Sequence, residues 1–177
     1  PPKQFGGYMK IYTSYFYNLR FFTPNMIPIS TAISDPKWYH ANQGNTHVFK
    51  DKRGVINGLR APVFALPAEE VEKIENMCSK NCLQSPTDCD FLKVYERYLD
   101  SLNFDDIMNR LQTFVEKVQS AFPFDGEPIV VLMVHEATSN PCSERNGLQR
   151  LFAKHGIEVK EWTTSQVIKT TQKGIKK

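Results

Sequence analysis

Residues Pro128 to Trp162 read PIVVLMVHEATSNPCSERNGLQRLFAKHGIEVKEW. The stretch opens with an unbroken apolar run, Ile129 to Val134, whose length and β-branched content suit a buried strand. His135-Glu136 ends the run, and a polar loop through Ser139-Asn140-Pro141-Cys142-Ser143 follows. Ser143 is a good helix N-cap, Glu144 suits the positive first turn, and a helical pattern extends from Glu144 to His155. Gly156 stops it, and Ile157-Glu158-Val159 starts another strand. Strand, loop, helix, strand is the unit of an open α/β sheet, which places its ligand sites at the carboxyl ends of its strands. A carboxylate, a thiol, a hydroxyl and a guanidinium lie between Glu136 and Arg145. That loop is the first place to look for chemistry.

Outward from this unit, Lys10 to Phe16 is rich in aromatic and β-branched residues and reads as a first strand. Ile27-Pro28-Ile29-Ser30 reads as a second, with Pro28 tolerated near its start or at a sheet edge. Asp35-Pro36 breaks the pattern. The polar text from Lys37 to Ala61, with Gly44, Gly54 and Gly58, predicts a long irregular loop of the kind used as a lid or mobile segment. Pro67-Ala68-Glu69-Glu70 opens a helix expected to reach about Lys80. Thr87 or Asp88 caps the next, near Asp90, with Phe91, Val94, Tyr95, Tyr98 and Leu102 at helical spacing. Asn103 or Asp105 caps a third, whose stripe is Ile107, Leu111, Phe114, Val115 and Val118. Pro123, Asp125-Gly126 and Pro128 turn the chain into the buried strand. The alternation predicts the α/β class, a single layered Rossmann-like domain with a mostly parallel central sheet flanked by helices. Residues 1–8 read as a flexible lead, either an expression remnant with Met9 the natural start or a native arm. The domain spans 9–165, and 166–177 form a basic C-terminal tail.

A chain of 177 residues, 41% hydrophobic and 23% charged, has the composition of one ordinary globular domain with its own core. No apolar run nears the roughly 20 residues that cross a bilayer. Pro1 to Tyr8 lacks the basic-then-apolar order of a secretory signal, and four cysteines do not demand an oxidising compartment. A cytoplasmic protein without membrane association is expected. The net charge of +3 is too small to imply nucleic acid by itself. Lys169, Lys173, Lys176 and Lys177 make the tail basic; it is either a solvated end or a source of salt-dependent attraction to a polyanion. The sequence leaves homo-oligomerisation open and names no cofactor.

The N–H groups and dipole at the start of the late helix make an anion site available, and Arg145 offers a bidentate fork to phosphate or carboxylate. The alternative is a capped helix whose Arg145 pairs with Glu136 or Glu144 for structural reasons. Glu136, leaving a buried strand, must be solvated or paired. It is the candidate catalytic residue, as a general base or as a binder of a sugar hydroxyl or amine. His135 faces the opposite way and is expected to be a structural donor. Gly147 inside the helix costs about 1 kcal/mol relative to Ala, which close approach to a strand or ligand would explain. Cys78, Cys82 and Cys89 form C-x3-C-x6-C, unlike the paired knuckles of a zinc ribbon; incidental thiols, half a metal site and a local disulfide all fit. Cys142 sits where a thiolate is favoured, but its spacing to Arg145 is not the C-x5-R of a tyrosine phosphatase. Dinucleotide, Walker, zincin and nucleophile-elbow motifs are missing.

Ile11-Tyr12-Thr13-Ser14-Tyr15-Phe16, Pro28-Ile29-Ser30, Asp35-Pro36-Lys37-Trp38, the Phe91, Tyr95, Tyr98, Leu102 helix and the closing unit to Glu161-Trp162 occur in order. Together they resemble the microbial and phage-borne family called domain of unknown function 488, from Met9 to about Trp162. The resemblance implies an α/β fold and transfers no settled activity. In that family the late strand usually ends in Cys-Tyr-Glu and the next helix opens with Cys-His-Arg. Glu136 and Arg145 fall on the Glu and Arg. Val134, His135, Ser143 and Glu144 replace the other residues, and Cys142 lies one position early. Any metal or nucleophilic work done by a family Cys-His pair is not expected here in the same form.

Three functions fit these residues. The first is an enzyme acting on a nucleotide, nucleoside or modified base. Its anionic part would rest on Ser143 to Arg145, with Glu136 as base or hydroxyl binder. Tyr12, Thr13, Ser14 and Tyr15 would come from the neighbouring strand, Ser30 from the end of the next, and Trp38 or Tyr39 would stack or close over the ligand. The second is a non-catalytic phage or bacterial protein that sequesters a nucleotide-like ligand or docks on a protein. The lost Cys and His positions favour it. A third, a nucleic-acid accessory, would use the basic tail.

Overall fold

The strands are β1 (Lys10–Tyr15), β2 (Met26–Ser30), β3 (Phe49–Lys50), β4 (Ile56–Asn57), β5 (Ile129–Val134) and β6 (Lys160–Glu161). The helices are α1 (Ala68–Val71), α2 (Asp90–Asp100), α3 (Phe104–Ala121) and α4 (Glu144–Lys154). The computed structural model describes residues 9–40, 48–74, 88–137, 139–140 and 142–164. The lead, Gly44, Cys78, Cys82, Thr87 and the basic tail lie outside them.

β2, β5, β1 and β6 form a parallel sheet in that order. β5 is the central apolar run, and every residue from Val130 to Val134 is buried. Its pleat divides the interior. Ile11, Ile27, Ile29, Val130 and Leu132 face one way and share a core with the apolar stripes of α2, α3 and α4. Met26, Val131 and Met133 face the other way, onto Phe16, Leu19, Phe22, Tyr39, Val55 and Trp162. The helices thus cover one face, while a 3-10 segment, Phe16–Phe21, and aromatic rings close the other.

The connection from β1 to β2 passes β5 on the aromatic face. That from β5 to β6 passes β1 on the helical face, through α4. Connections that leave adjacent strands on opposite faces open a crevice at their carboxyl ends. Here it lies beyond the facing pair Tyr15 and Val134. Pro28 falls on the outermost strand, in the same orientation as Ser30, whose N–H and C=O bond outward to Leu59 and Ala61. Its missing N–H therefore removes nothing from the β2–β5 ladder.

Several boundaries differ from expectation. The described parts of the stretch expected as a lid or mobile loop, residues 37–40 and 48–61, are folded onto the domain, and residues 41–47 lie outside the described residues. The described parts hold a 3-10 turn, Lys37–Tyr39, and the β3–β4 hairpin, and Val55, Ile56, Asn57 and Leu59 are buried. Asp51 makes this turn by accepting from the N–H groups of Arg53 and Val55, and Gly54 supplies a φ of +81°. Polar composition mimicked a solvated loop, but these side chains serve the backbone. The helix opened by Pro67 ends at Val71 rather than near Lys80. Cys89, not Thr87 or Asp88, is the N-cap of α2, whereas Asn103 caps α3 by accepting from Asp106 N at 3.1 Å. The last strand pairs at Lys160–Glu161, just after the apolar Ile157–Val159. Among the described residues no helix is long and apolar enough to cross a membrane.

Candidate functional site

Glu136 leaves β5 at the crevice, and its Oε2 accepts a hydrogen bond from Ser143 Oγ at 3.1 Å. Ser143 is the N-cap of α4 as its type predicts, its Oγ also accepting from Arg145 N. Arg145 is 5% exposed and turned into the loop. Its Nη1 donates to Glu136 O at 2.7 Å, and its Nη2 to Ala137 O and Asn140 O at 2.7 and 2.6 Å. One guanidinium thus ties three carbonyls of the loop together, and Ala137 O accepts from Asn140 N as well. The fork that the sequence offered to a ligand therefore holds its own loop, and neither Glu136 nor Glu144 supplies its hydrogen bonds through a carboxylate. Burial lowers the Arg145 pKa from the usual guanidinium range, and the charges of Glu161 and Glu136 and the Tyr15 hydroxyl oppose that.

Behind Arg145 lies a second polar layer. Thr13 Oγ1 donates to Glu161 Oε2 at 2.5 Å and accepts from Gln149 Nε2 at 2.7 Å. Arg145 Nε stands 4.0 Å from the same Glu161 oxygen. The other oxygen, Oε1, is buried without a hydrogen-bond partner, and burial raises this carboxyl's pKa. Gln149 also lines an open groove of about 360 Å³, with Asn146, Arg150, Ala153, Glu158 and Val159.

Glu144, in the first turn of α4, is 6% exposed, and its Oε2 is likewise buried without a partner. Burial first, and then the charge of Glu136, push its pKa up from 4.5 to about 8. Its carboxyl therefore holds a proton more tightly than an exposed glutamate does. Proximity to Asp, Glu or a helix start is visible in a sequence; enclosure by a second helix is not. That enclosure comes from α2. A Cβ on Gly147 would stand 2.8 Å from Tyr95 Cδ1, so the glycine lets α4 close onto Tyr95. The close approach expected at Gly147 is to a helix, not to a strand or ligand. Tyr95 is held in turn by donating to Phe64 O at 2.6 Å.

The remaining candidates divide by face. Thr13 and Tyr15 point toward α4, with Glu136, Ser143 and Arg145 nearby. Tyr12 and Ser14 point to the aromatic face. Tyr12 packs against that core, and Ser14 Oγ donates to Trp162 O at 3.1 Å while accepting from Asn18. Trp38 is 53% exposed, edge-on to Phe16. Its neighbour Tyr39 is buried, with its hydroxyl against Pro28 O and Leu59 O, and cannot close over a ligand. His135 Nε2 bonds to Ser34 O, the structural role expected of it. Cys142 is buried in the core, which opposes a reactive thiolate.

Ser30 belongs to a centre that the sequence did not reveal. Its Oγ donates to Asp35 Oδ1, while Asp35 Oδ2 meets His40 Nε2 at 2.5 Å and Arg60 Nη1 at 3.4 Å. The Asp35 carboxylate is 2% exposed. Arg60 also donates to Ala32 O at 3.0 Å. Ser30 and His40 lie five residues on either side of Asp35, but no helical or strand period links them, and Arg60 comes from a separate segment. Among the described residues no group of three or more His, Cys, Asp or Glu side chains is arranged to hold a metal ion. The chain matches no protein-family model, no curated protein and no solved structure.

Proposed function

We propose that the chain is an acid–base enzyme directed at a nucleoside or modified nucleobase, with Glu136 as the catalytic residue. One observation carries this. Two carboxyl groups at the carboxyl end of the sheet sit in different environments: Glu136 is half-buried and accepts from Ser143, whereas Glu144 is buried with Oε2 unpartnered among the described residues, which pushes its pKa up to about 8. Such splitting is how a site holds an acid and a base together at neutral pH. Glu136 is half-buried and accepts from Ser143, so it is the group that meets a ligand. Glu144 is a positioning residue. By staying neutral it leaves one negative charge on the pair and fixes it on Glu136.

The charges favour a particular kind of ligand. Arg145 is occupied by carbonyls, and Glu136 and Glu161 balance its charge. This spot supports a neutral, donor-rich group such as a ribose hydroxyl or a base amine over a phosphate. A cytoplasmic location fits such a substrate. Incubation with a panel of nucleosides, nucleotides and modified bases, followed by mass spectrometry, tests the proposal. Glu136→Gln should abolish conversion and retain binding. Glu144→Gln should keep part of the activity and move its pH profile. Tight binding with every ligand returned unchanged would instead favour the sequestering protein, which the closed Arg145 network also suits.

A further inference from the structure

We infer that the base handled at this crevice belongs to a single strand of nucleic acid, bound along the aromatic and basic surface that leaves β1. This deepens the function proposed above and rests on it only for where the target base ends. The surface begins at the crevice. Tyr15, the last residue of β1, stacks on Tyr17 with ring centroids 5.8 Å apart and planes 16° apart. Arg20 also lies over Tyr17, its guanidinium carbon 3.7 Å from the ring centroid. Phe21 follows at 6.3 Å from Tyr17. Trp38 stands on the same side, edge-on to Phe16. Tyr17, Phe21 and Trp38 are 50%, 38% and 53% exposed, so three large rings are left in water, all on or next to the segments that follow β1 and β2.

A free nucleoside needs one stacking partner. A series of exposed rings beside the carboxyl end of β1 fits successive bases of a strand, because every base has a stacking face whatever its sequence. The charge agrees. Between Met9 and Arg60 the chain carries seven Lys or Arg and only two acidic residues, Asp35 and Asp51, although the whole protein is only +3. Both acids are engaged, Asp35 by His40 and Arg60 and Asp51 by Arg53. Arg20, Lys37, Lys52 and Arg53 are exposed on or beside the rings, with Arg53 anchored to Leu19 O and Arg20 O. The phosphates, which the carboxylate-rich α4 site does not suit, find their cations here. Arg20 serves both needs, as a plane for a base and a charge for a phosphate.

The test is fluorescence anisotropy with the full chain and a short labelled oligonucleotide of mixed sequence, as single-stranded DNA, single-stranded RNA and duplex. Either single strand should bind at least about tenfold more tightly than the duplex, and more weakly as salt rises. Trp38→Ala and Phe21→Ala should each weaken binding about tenfold. Arg20→Ala and Lys52→Ala should each flatten the salt dependence by about one phosphate contact. All four side chains are exposed, and circular dichroism checks that the variants fold. Duplex binding as tight as single-strand binding, no binding at low salt, or binding indifferent to all four substitutions overturns the inference; the last result would assign the interaction to the basic tail. Glu136→Gln should bind the strand normally. Loss of strand binding with nucleoside turnover intact therefore removes this inference alone, and intact strand binding without any turnover removes the enzyme alone.

Discussion

Two loops leave the carboxyl edge of the sheet, and each is organised around a buried ion of opposite sign. After β2, the Asp35 carboxylate collects donors from Ser30, His40 and Arg60, and both of its oxygens are used. After β5, the Arg145 guanidinium collects the carbonyls of Glu136, Ala137 and Asn140. The second loop, however, leaves Glu144 Oε2 and Glu161 Oε1 buried without partners. A satisfied buried polar network fixes a fold, whereas unsatisfied members are costly and need a reason. The contrast lies in the carboxyl groups and teaches where to look for function: that of Asp35 has both oxygens bonded and holds the architecture, whereas those of Glu144 and Glu161 each keep a buried oxygen without a partner among the described residues.

Removing either ion should break its loop, and the larger loss is expected at Arg145. Arg145→Ala removes a donor from each of three loop carbonyls and the cation that faces Glu161, and should lower unfolding stability in urea by about 3–5 kcal/mol. Asp35→Ala should cost less, about 2–3 kcal/mol, because Arg60 is one-third exposed and regains water. Equal losses would erase the distinction between the loops.

Acidity sharpens the contrast further. Glu144 has a folded pKa of about 8 against 4.5 in the open chain, so the folded state holds its proton more tightly. Its contribution is fully present below pH 4.5, declines as pH rises, and is lost above about 8. Glu144→Gln should remove that decline and be more stable than the parent at pH 8 by about 2 kcal/mol, less than full linkage because an ionising buried carboxylate draws water to itself. Parallel stability–pH curves for parent and variant would mean that Glu144 ionises like any exposed carboxylate. The smallest effect is expected at Gly147→Ala. The contact with Tyr95 should cost more than the helix propensity returns, a net loss of about 1 kcal/mol. A neutral result would mean that α2 and α4 have room to separate.

Local signals were legible and enclosure was not. The run Ile129 to Val134, the Ser143 and Asn103 caps, Gly156 at φ +78° and the edge position of Pro28 each follow from rules acting within a few residues. They were enough for the α/β class and for the loop that holds Glu136. The described parts of the lid expected between Lys37 and Ala61 are folded instead, because Asp51, Asn57 and Arg60 spend their polarity on backbone groups inside the fold. Arg145 was placed correctly in sequence, but its three carbonyls become neighbours only when the loop closes. Glu144 looked like an ordinary first-turn carboxylate. Burial, and after it the charge of Glu136, is what makes it different, and neither is visible in the local sequence.

Carbon-13 NMR of side-chain carboxyls, followed through a pH titration and assigned with Glu144→Gln, is the most direct measurement. A carboxyl signal that titrates near pH 8 and vanishes in that variant is the expected result, and it would establish a neutral acid beside Glu136 at physiological pH. A Glu144 signal that titrates near 4.5, with the other carboxylates, would contradict the acid–base pair on which the proposed function stands.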